Sequence, residues 1–429
     1  MARKMKDSGI EWIGEIPEGW EIKYFVQLFS QVKNKNIGLR EKNLLSLSYG
    51  KIKQKSIETV GGLLPDNFEG YNIIDRNDIV LRLTDLQNDQ HSLRVGLSPE
   101  RGIITSAYCS IRVRGAESPN YLYYYLHTFD IAKGFYGMGS GVRQGLNWDG
   151  LKYIKILLPP QHEQDRISVF LNQKTLEIDS ILSKTISSIE EYKKLKQAVI
   201  TQAVTKGVRG EREMKDSGVD YIGQIPAKWV LGKLRNVGDT QNGISKSSEF
   251  FGKGFPFVSY SDVYKNYSLP FAVSGLVEST PEEQARYSVK EGDIFFTRTS
   301  ETIEEVGFSC VCEKDIPNAT FAGFLIRVRP FSDKLYTPYA KYYFRSSHLR
   351  FYLVKEMNLV TRASLGQSLL KSMPVLLPPL EEQKEVADYL DAKCAEIDGL
   401  IAKKEQLVKE LESYKKSLIY EVITGKREV

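Results

Sequence analysis

Residues 5–17 read Met5-Lys6-Asp7-Ser8-Gly9-Ile10-Glu11-Trp12-Ile13-Gly14-Glu15-Ile16-Pro17, and residues 214–226 read Met214-Lys215-Asp216-Ser217-Gly218-Val219-Asp220-Tyr221-Ile222-Gly223-Gln224-Ile225-Pro226. The second copy lies 209 residues after the first, and each proline is followed three residues later by a tryptophan, Trp20 or Trp229. A repeat on this scale sets the architecture, because each copy is one structural unit. A second match relates Leu157-Leu158-Pro159-Pro160 with Glu163-Gln164 to Leu376-Leu377-Pro378-Pro379 with Glu382-Gln383, now 219 residues apart. The same spacing carries Ala203-Val204-Thr205 onto Val422-Ile423-Thr424. The segments after the two Pro-Pro pairs therefore match without a gap, and the extra residues fall inside the second globular region.

The chain reads as globe, helix, globe, helix, with a frame that repeats and globes that diverge. The expected bounds are 1–158 and 208–377 for the globes, and 159–207 and 378–429 for the helices. Within the globes, Asp78-Ile79-Val80 resembles Asp293-Ile294-Phe295, and Ile111-Arg112-Val113-Arg114 resembles Ile326-Arg327-Val328-Arg329, both 215 residues apart. Short β-branched and aromatic runs bounded by Gly, Asn and Asp read as strands. Residues 121–129 and 339–346 read as helices. The fold class is α+β, with mixed α/β globes.

Apolar residues recur in threes and fours at Ile167, Leu171, Ile178, Leu182, Ile189, Tyr192, Val199 and Ala203, and again at Val386, Leu390, Ile397, Ile401, Val408, Leu411, Leu418 and Val422. That is a coiled-coil seam. Pro-Pro suits the first helical turn, and Gly207 and Gly425 suit the end. A helix of about 40 residues spans about 60 Å. The second helix can bury its seam on the first only by running back along it. The two are therefore expected to be antiparallel, with the repeats related by a pseudo-two-fold axis and the C-terminus close to the N-terminus. Taken alone, heptads fit a tether or an oligomerisation coil. With a similar globe at each end, they fit a ruler, and DNA suits a ruler because its major-groove faces recur about every 34 Å.

The chain has 429 residues, a formal charge of +5 and 26% charged residues. Residues 20–156 hold 18 Lys and Arg against 13 Asp and Glu, and residues 229–375 hold 18 against 15. This mild basic excess permits nucleic-acid binding without requiring it. No apolar run reaches the roughly 20 residues of a membrane helix, and the N-terminal stretch lacks an apolar signal core, so a cytoplasmic location is expected. Cys109, Cys310, Cys312 and Cys394 form no C-x-x-C pair. Neither a disulfide framework nor a zinc site is expected.

Three motifs are decoys. Phe135-Tyr136-Gly137-Met138-Gly139 fits F-x-G-x-G, a loop with which methyltransferases hold S-adenosylmethionine. Here, however, the glycines follow a helix, and the position falls on Asn358-Leu359-Val360 in the second copy. Leu158-Pro159-Pro160-Gln161 lacks the Asn or Asp and the aromatic residue that flank Pro-Pro in adenine methyltransferases. No G-x-x-x-x-G-K-[ST] is present. Cys310-Val311-Cys312 alternates along a strand and fits packing better than ligation.

The duplicated entry segment from Lys6 to Trp20, the two L-L-P-P…E-Q turns and the endings Ala203-Val204-Thr205-Lys206-Gly207 and Val422-Ile423-Thr424-Gly425-Lys426 together resemble the specificity subunit of Type I restriction–modification systems. The resemblance spans essentially the whole chain. It implies two target-recognition domains, each reading one half of a split, asymmetric DNA site. It implies that the helices set the gap between the halves and dock two methylation subunits, joined in some complexes by two restriction subunits. The chain itself would hold no catalytic residue and no cofactor or metal. S-adenosylmethionine would belong to the methylation subunit, and ATP with magnesium to the restriction subunit. Two rivals stay open: a self-contained methyltransferase, and a coiled-coil scaffold with no DNA role.

Phosphate contacts need Lys and Arg, and base contacts need Arg, Asn, Gln, Ser or Thr. The candidates are Ser140, Arg143 and Gln144 in a glycine-rich loop, with Thr361 and Arg362 lying 219 residues beyond it. Arg82 and Thr84, with Arg298 and Thr299, stand at strand ends that suit a reading edge or equally a surface ion pair. Lys51, Lys53, Lys246 and Lys253 are generic phosphate candidates. Arg112, Arg114, Arg327 and Arg329 fit a structural role. Trp12, Trp20 and Trp229 are expected to pack at the globe–helix junctions. Glu163, Gln164, Glu382 and Gln383 fit either a helix cap or a contact with the methylation subunit.

Overall fold

The two long helices run Gln161–Lys206 and Leu380–Ile423. The structure, a computed structural model, describes residues 3–56, 67–86, 89, 92–136, 138, 145–300, 305–356 and 363–429. The chain divides into two units, Met1–Ile186 with Gln406–Val429, and Ser187–Glu405. Both divisions fall inside the long helices, so each unit contains a stretch of each helix.

In the first unit, Met5–Asp7 and Glu15–Pro17 form an antiparallel hairpin with Met5 opposite Pro17. Glu21–Tyr24 then pairs antiparallel with Lys155–Leu158, the strand that leads into the first long helix. A four-stranded antiparallel sheet follows in the order Phe29–Gln31, Cys109–Val113, Ile79–Leu81, Val95–Leu97. The helix Pro119–Ile131 packs on this frame, and its buried Tyr121 and Tyr125 donate to the carbonyls of Leu157 and Lys155 at 3.1 and 2.8 Å. The central strand is apolar on both faces: Ile79 and Leu81 join the core that contains the helix, and Val80 joins a second cluster with Val32, Leu45 and Ile104.

The second unit repeats the plan. Met214–Asp216 pairs with Gln224–Pro226, and Val230–Lys233 pairs with Pro374–Leu377. The four-stranded sheet runs Gly238–Asn242, Leu325–Pro330, Ile294–Thr297, Ser309–Val311. Tyr339 and Tyr343, on the helix Thr337–Tyr343, donate to the carbonyls of Leu376 and Pro374 at 3.3 and 3.1 Å.

The central strands correct the sequence match. Ile79 faces Ile111, but Ile294 faces Val328 rather than Ile326. In space, therefore, Arg112 corresponds to Arg329 and not to Arg327. Arg112 grips Asp78 with Nε to Oδ1 and Nη2 to Oδ2, both 2.7 Å, and Arg329 grips Asp293 the same way at 2.7 and 2.6 Å. Both aspartates are buried. A two-pronged guanidinium–carboxylate pair has one good geometry, and it selects the register.

The helices pair antiparallel within each unit. In the first, Lys415 reaches Asp179 at 2.5 Å, and in the second Lys196 reaches Asp398 at 2.6 Å. Ile167, Leu171, Leu418 and Val422 are fully buried in the first core, and Ala203, Val386 and Leu390 in the second. The mid-helix seam residues Leu182, Tyr192, Ile401, Val408 and Leu411 are only half-buried. Among the described residues no helix is long and apolar enough to cross a membrane.

Candidate nucleic-acid interface

The frame explains why its residues occur twice. Glu163 accepts the Trp20 indole N–H at 3.1 Å and two bonds from Arg3 Nη2 at 2.6 and 2.7 Å. Glu382 accepts the Trp229 indole N–H at 2.8 Å and Arg212 at 2.6 Å, with Arg209 at 3.4 Å. Burial opposes the charge on Glu382, yet the indole and the guanidinium of Arg212 hold its carboxyl below the usual range. The neighbouring glutamines tie each globular helix to the long one. Gln164 Oε1 accepts from Ser118 N at 2.9 Å, and its amide donates to the Pro159 carbonyl at 3.0 Å. Gln383 does the same with Tyr336 N at 2.8 Å and the Pro378 carbonyl at 2.9 Å.

Their burial favours a structural role for Glu163, Gln164, Glu382 and Gln383 over a partner contact. All four residues are at most 5% exposed, and their polar atoms are used inside their own unit. The tryptophans sit at the junctions, as expected. Each also abuts the glycine that ends the arriving helix: a Cβ on Gly425 would lie 3.2 Å from Trp20, and one on Gly207 3.2 Å from Trp229. Both glycines have positive φ, so the helix stop and the close approach use the same residue.

The reading candidates divide sharply. Ser140, Arg143, Gln144, Thr361 and Arg362 lie outside the described residues, as do Gly137 and Gly139 of the F-x-G-x-G match. The chain just after those two loops returns to the strand-end candidates. Leu146 N donates to the Leu83 carbonyl at 2.9 Å, between Arg82 and Thr84. Leu365 N donates to the Arg298 carbonyl at 2.7 Å, and Thr299–Ser300 pairs with Ala363–Ser364. Both units thus join two segments that the sequence separates by some sixty residues.

Arg82 lies 3.4 Å from Asp89, while Thr84 is exposed. Arg298 is half-buried and has no ion-pair partner among the described residues. Lys51 is held at 2.8 Å by Asp179, and Lys53 is exposed beside it on the strand Lys51–Gln54. Lys246 is folded inward, donating to the Glu278 carbonyl and to Glu283 at 2.7 Å each, which removes it as a free phosphate contact. Lys253 remains exposed, 3.2 Å from Glu278.

Sequence reasoning missed the residues that shape these edges from beneath. Arg94 is fully buried. Its guanidinium donates to the carbonyls of Arg82, Thr84, Asp85 and Asp89 and to the Tyr136 hydroxyl, so it moulds this candidate segment from below. Arg345, half-buried in the second unit, gathers carbonyls in the same manner but at another place, donating to those of Ser309, Val263, Tyr264 and Asn266. The only signal for Arg94 was a lone cation set between apolar neighbours in Leu93-Arg94-Val95. Cys310 and Cys312 are buried, and burial pushes both thiols up to about 12, which disfavours the thiolate a metal needs. Among the described residues no group of three or more His, Cys, Asp or Glu could hold a metal.

Comparison with known proteins agrees with this plan. Residues 226–410 match the model of the Type I restriction modification DNA specificity domain. The chain is 25% identical over 420 residues to the MjaVIII Type I restriction enzyme specificity subunit of Methanocaldococcus jannaschii, covering 96% of this chain and 93% of that one. It is 26% identical over 271 residues to the EcoKI specificity subunit of Escherichia coli, with 61% and 56% covered. The HsdS subunit from Thermoanaerobacter tengcongensis shares the fold at a TM-score of 0.52 and 17% identity, covering 96% of this chain and 98% of that one. Residues 226–410 thus carry a Type I restriction modification DNA specificity domain, and the chain as a whole, with its two copies of one frame, is similar to specificity subunits of Type I restriction enzymes.

Proposed function

We propose that each unit reads one half of a split DNA site and that the paired helices fix the number of unread base pairs between the halves. The observation that carries this is the division of each unit into two parts. The junction of Trp, Glu and Gln is the same in both, whereas the strand-end segments differ: the carbonyls of Arg82 and Thr84 are held by the buried Arg94, while Arg298 donates its N–H to the Phe324 carbonyl and Thr299–Ser300 pairs with Ala363–Ser364. A shared frame with unlike edges is what an asymmetric, two-part target requires. Two methylation subunits dock on the frame and carry S-adenosylmethionine, and two restriction subunits supply ATP- and magnesium-dependent cleavage. This chain supplies recognition and no reacting group.

The test is a methylation map. The chain is co-expressed with its methylation subunit in a host without adenine methylation, and the DNA is sequenced with modification-sensitive reads. Two short, different sequences around a fixed gap are expected. Associated, soluble proteins that leave the DNA unmethylated would sink the reading.

A further inference from the structure

Among the described residues, one large apolar side chain is left out in solvent at the reading edge of the second unit. Phe324 is 63% exposed, although the residues around it, Phe321 and Leu325, are fully buried. Scattered exposed apolar residues are ordinary, but this one is held rigidly. Its turn is closed by Leu325 N to the Ala322 carbonyl at 2.9 Å. The Phe324 carbonyl accepts from Arg298 N at 2.9 Å, and Gly323 N donates to the Ile244 carbonyl at 2.8 Å. A Cβ on Gly243 would stand 2.2 Å from the carbonyl oxygens of Phe321 and Ala322, so the two backbones approach as closely as glycine permits. The backbone of Phe324 is thus fixed beside that of Arg298, whose own carbonyl receives the returning chain at Leu365.

The first unit builds the same turn with a different residue. Tyr108 N donates to the Thr105 carbonyl at 3.2 Å, matching Leu325 and Ala322, and the exposed position between them is Ala107. A large ring stands at one reading edge and a single methyl at the other.

We propose that Phe324 is a specificity-determining residue that reads a thymine. Its ring packs on the C5-methyl group of one T·A pair in the half-site of the second unit, and Ala107 makes no such contact in the other half. Apolar contact is how a protein reads that methyl in the major groove, and a side chain with two rotatable bonds on a hydrogen-bonded turn loses little freedom on making it. The assignment rests on the two-half-site reading.

The test uses the complex with its methylation subunit and its mapped site. Each thymine is replaced singly by deoxyuridine, which removes the methyl alone. Wild type should weaken about four-fold at one thymine of one half-site, and Phe324→Ala should bind thymine and deoxyuridine there equally. Ultraviolet cross-linking of wild type to 5-iododeoxyuridine at that position should label the peptide containing Phe324, a readout that needs no variant. The proposal is overturned if no thymine is sensitive, if Phe324→Ala keeps the full sensitivity, or if the cross-link falls on another peptide. A wild-type complex that methylates no split site fails earlier, at the mapping step, and takes the two-half-site reading down with it.

Discussion

Trp229 donates its indole N–H to Glu382 across 2.8 Å, and Trp20 repeats the bond to Glu163 at 3.1 Å. Removing either carboxylate leaves a buried indole without an acceptor and a guanidinium without its buried carboxylate partner. Glu382→Ala should therefore cost about 3 kcal/mol, read as a lower urea midpoint. Glu382→Gln keeps an acceptor for the indole and should cost less. Equal losses for the two variants would show that the bond to Trp229 is worth nothing.

The Arg329–Asp293 pair holds the central strands of the second sheet in register. Asp293→Asn should destabilise by about 3 kcal/mol, because it strands a half-buried guanidinium. In the double variant with Arg329→Met the two losses should fall short of their sum. Strict additivity, measured by urea unfolding, would mean that the two residues act independently.

Inserting four residues, about one turn, near residues 187 and 406 of the two helices should lengthen the unmethylated gap and leave both half-sites intact. Inserting them into the first helix alone should throw the Lys415–Asp179 and Lys196–Asp398 pairings out of register with one another, so that the two cannot both be kept along continuous helices. A methylation map with an unchanged gap after the double insertion would remove the ruler.

His127 and His348 are buried in their respective units, and burial lowers both to about 4. Lys415 and Lys416 add to the effect at His127. The unfolded chain takes up a proton near 6.5 and the folded chain does not until about 4. Stability is therefore full above pH 6.5 and falls between 6.5 and 4, by up to about 3 kcal/mol for each histidine. His348→Phe should flatten that slope in urea midpoints recorded against pH. A slope that is the same with and without the histidine would refute the assignment.

The frame was legible in the sequence because its chemistry is local and duplicated: Trp20 and Trp229 each stand three residues after the proline of the entry segment, and the two Glu-Gln pairs stand at one distance from Pro-Pro. The reading edges were not. In Ile-Arg-Val-Arg the letters repeat every two residues, so shifts of 215 and 217 look alike, and only the buried partners Asp78 and Asp293 separate them. Lys246 looked available for phosphate because Glu283, which captures it, is 37 residues away. Arg94 was missed because its acceptors are backbone carbonyls, which no side-chain pattern announces.

The arriving glycines have a consequence for biosynthesis. Gly207 closes on Trp229, so the second unit has all its parts once residue 405 has been made. Gly425 closes on Trp20, and Leu418, Ile419, Val422 and Ile423 complete the first core. The unit that leaves the ribosome first is thus the last to be finished. A chain that stops early keeps its later reader whole and leaves its earlier one open, so release of the final turn of helix marks the moment when both readers exist together.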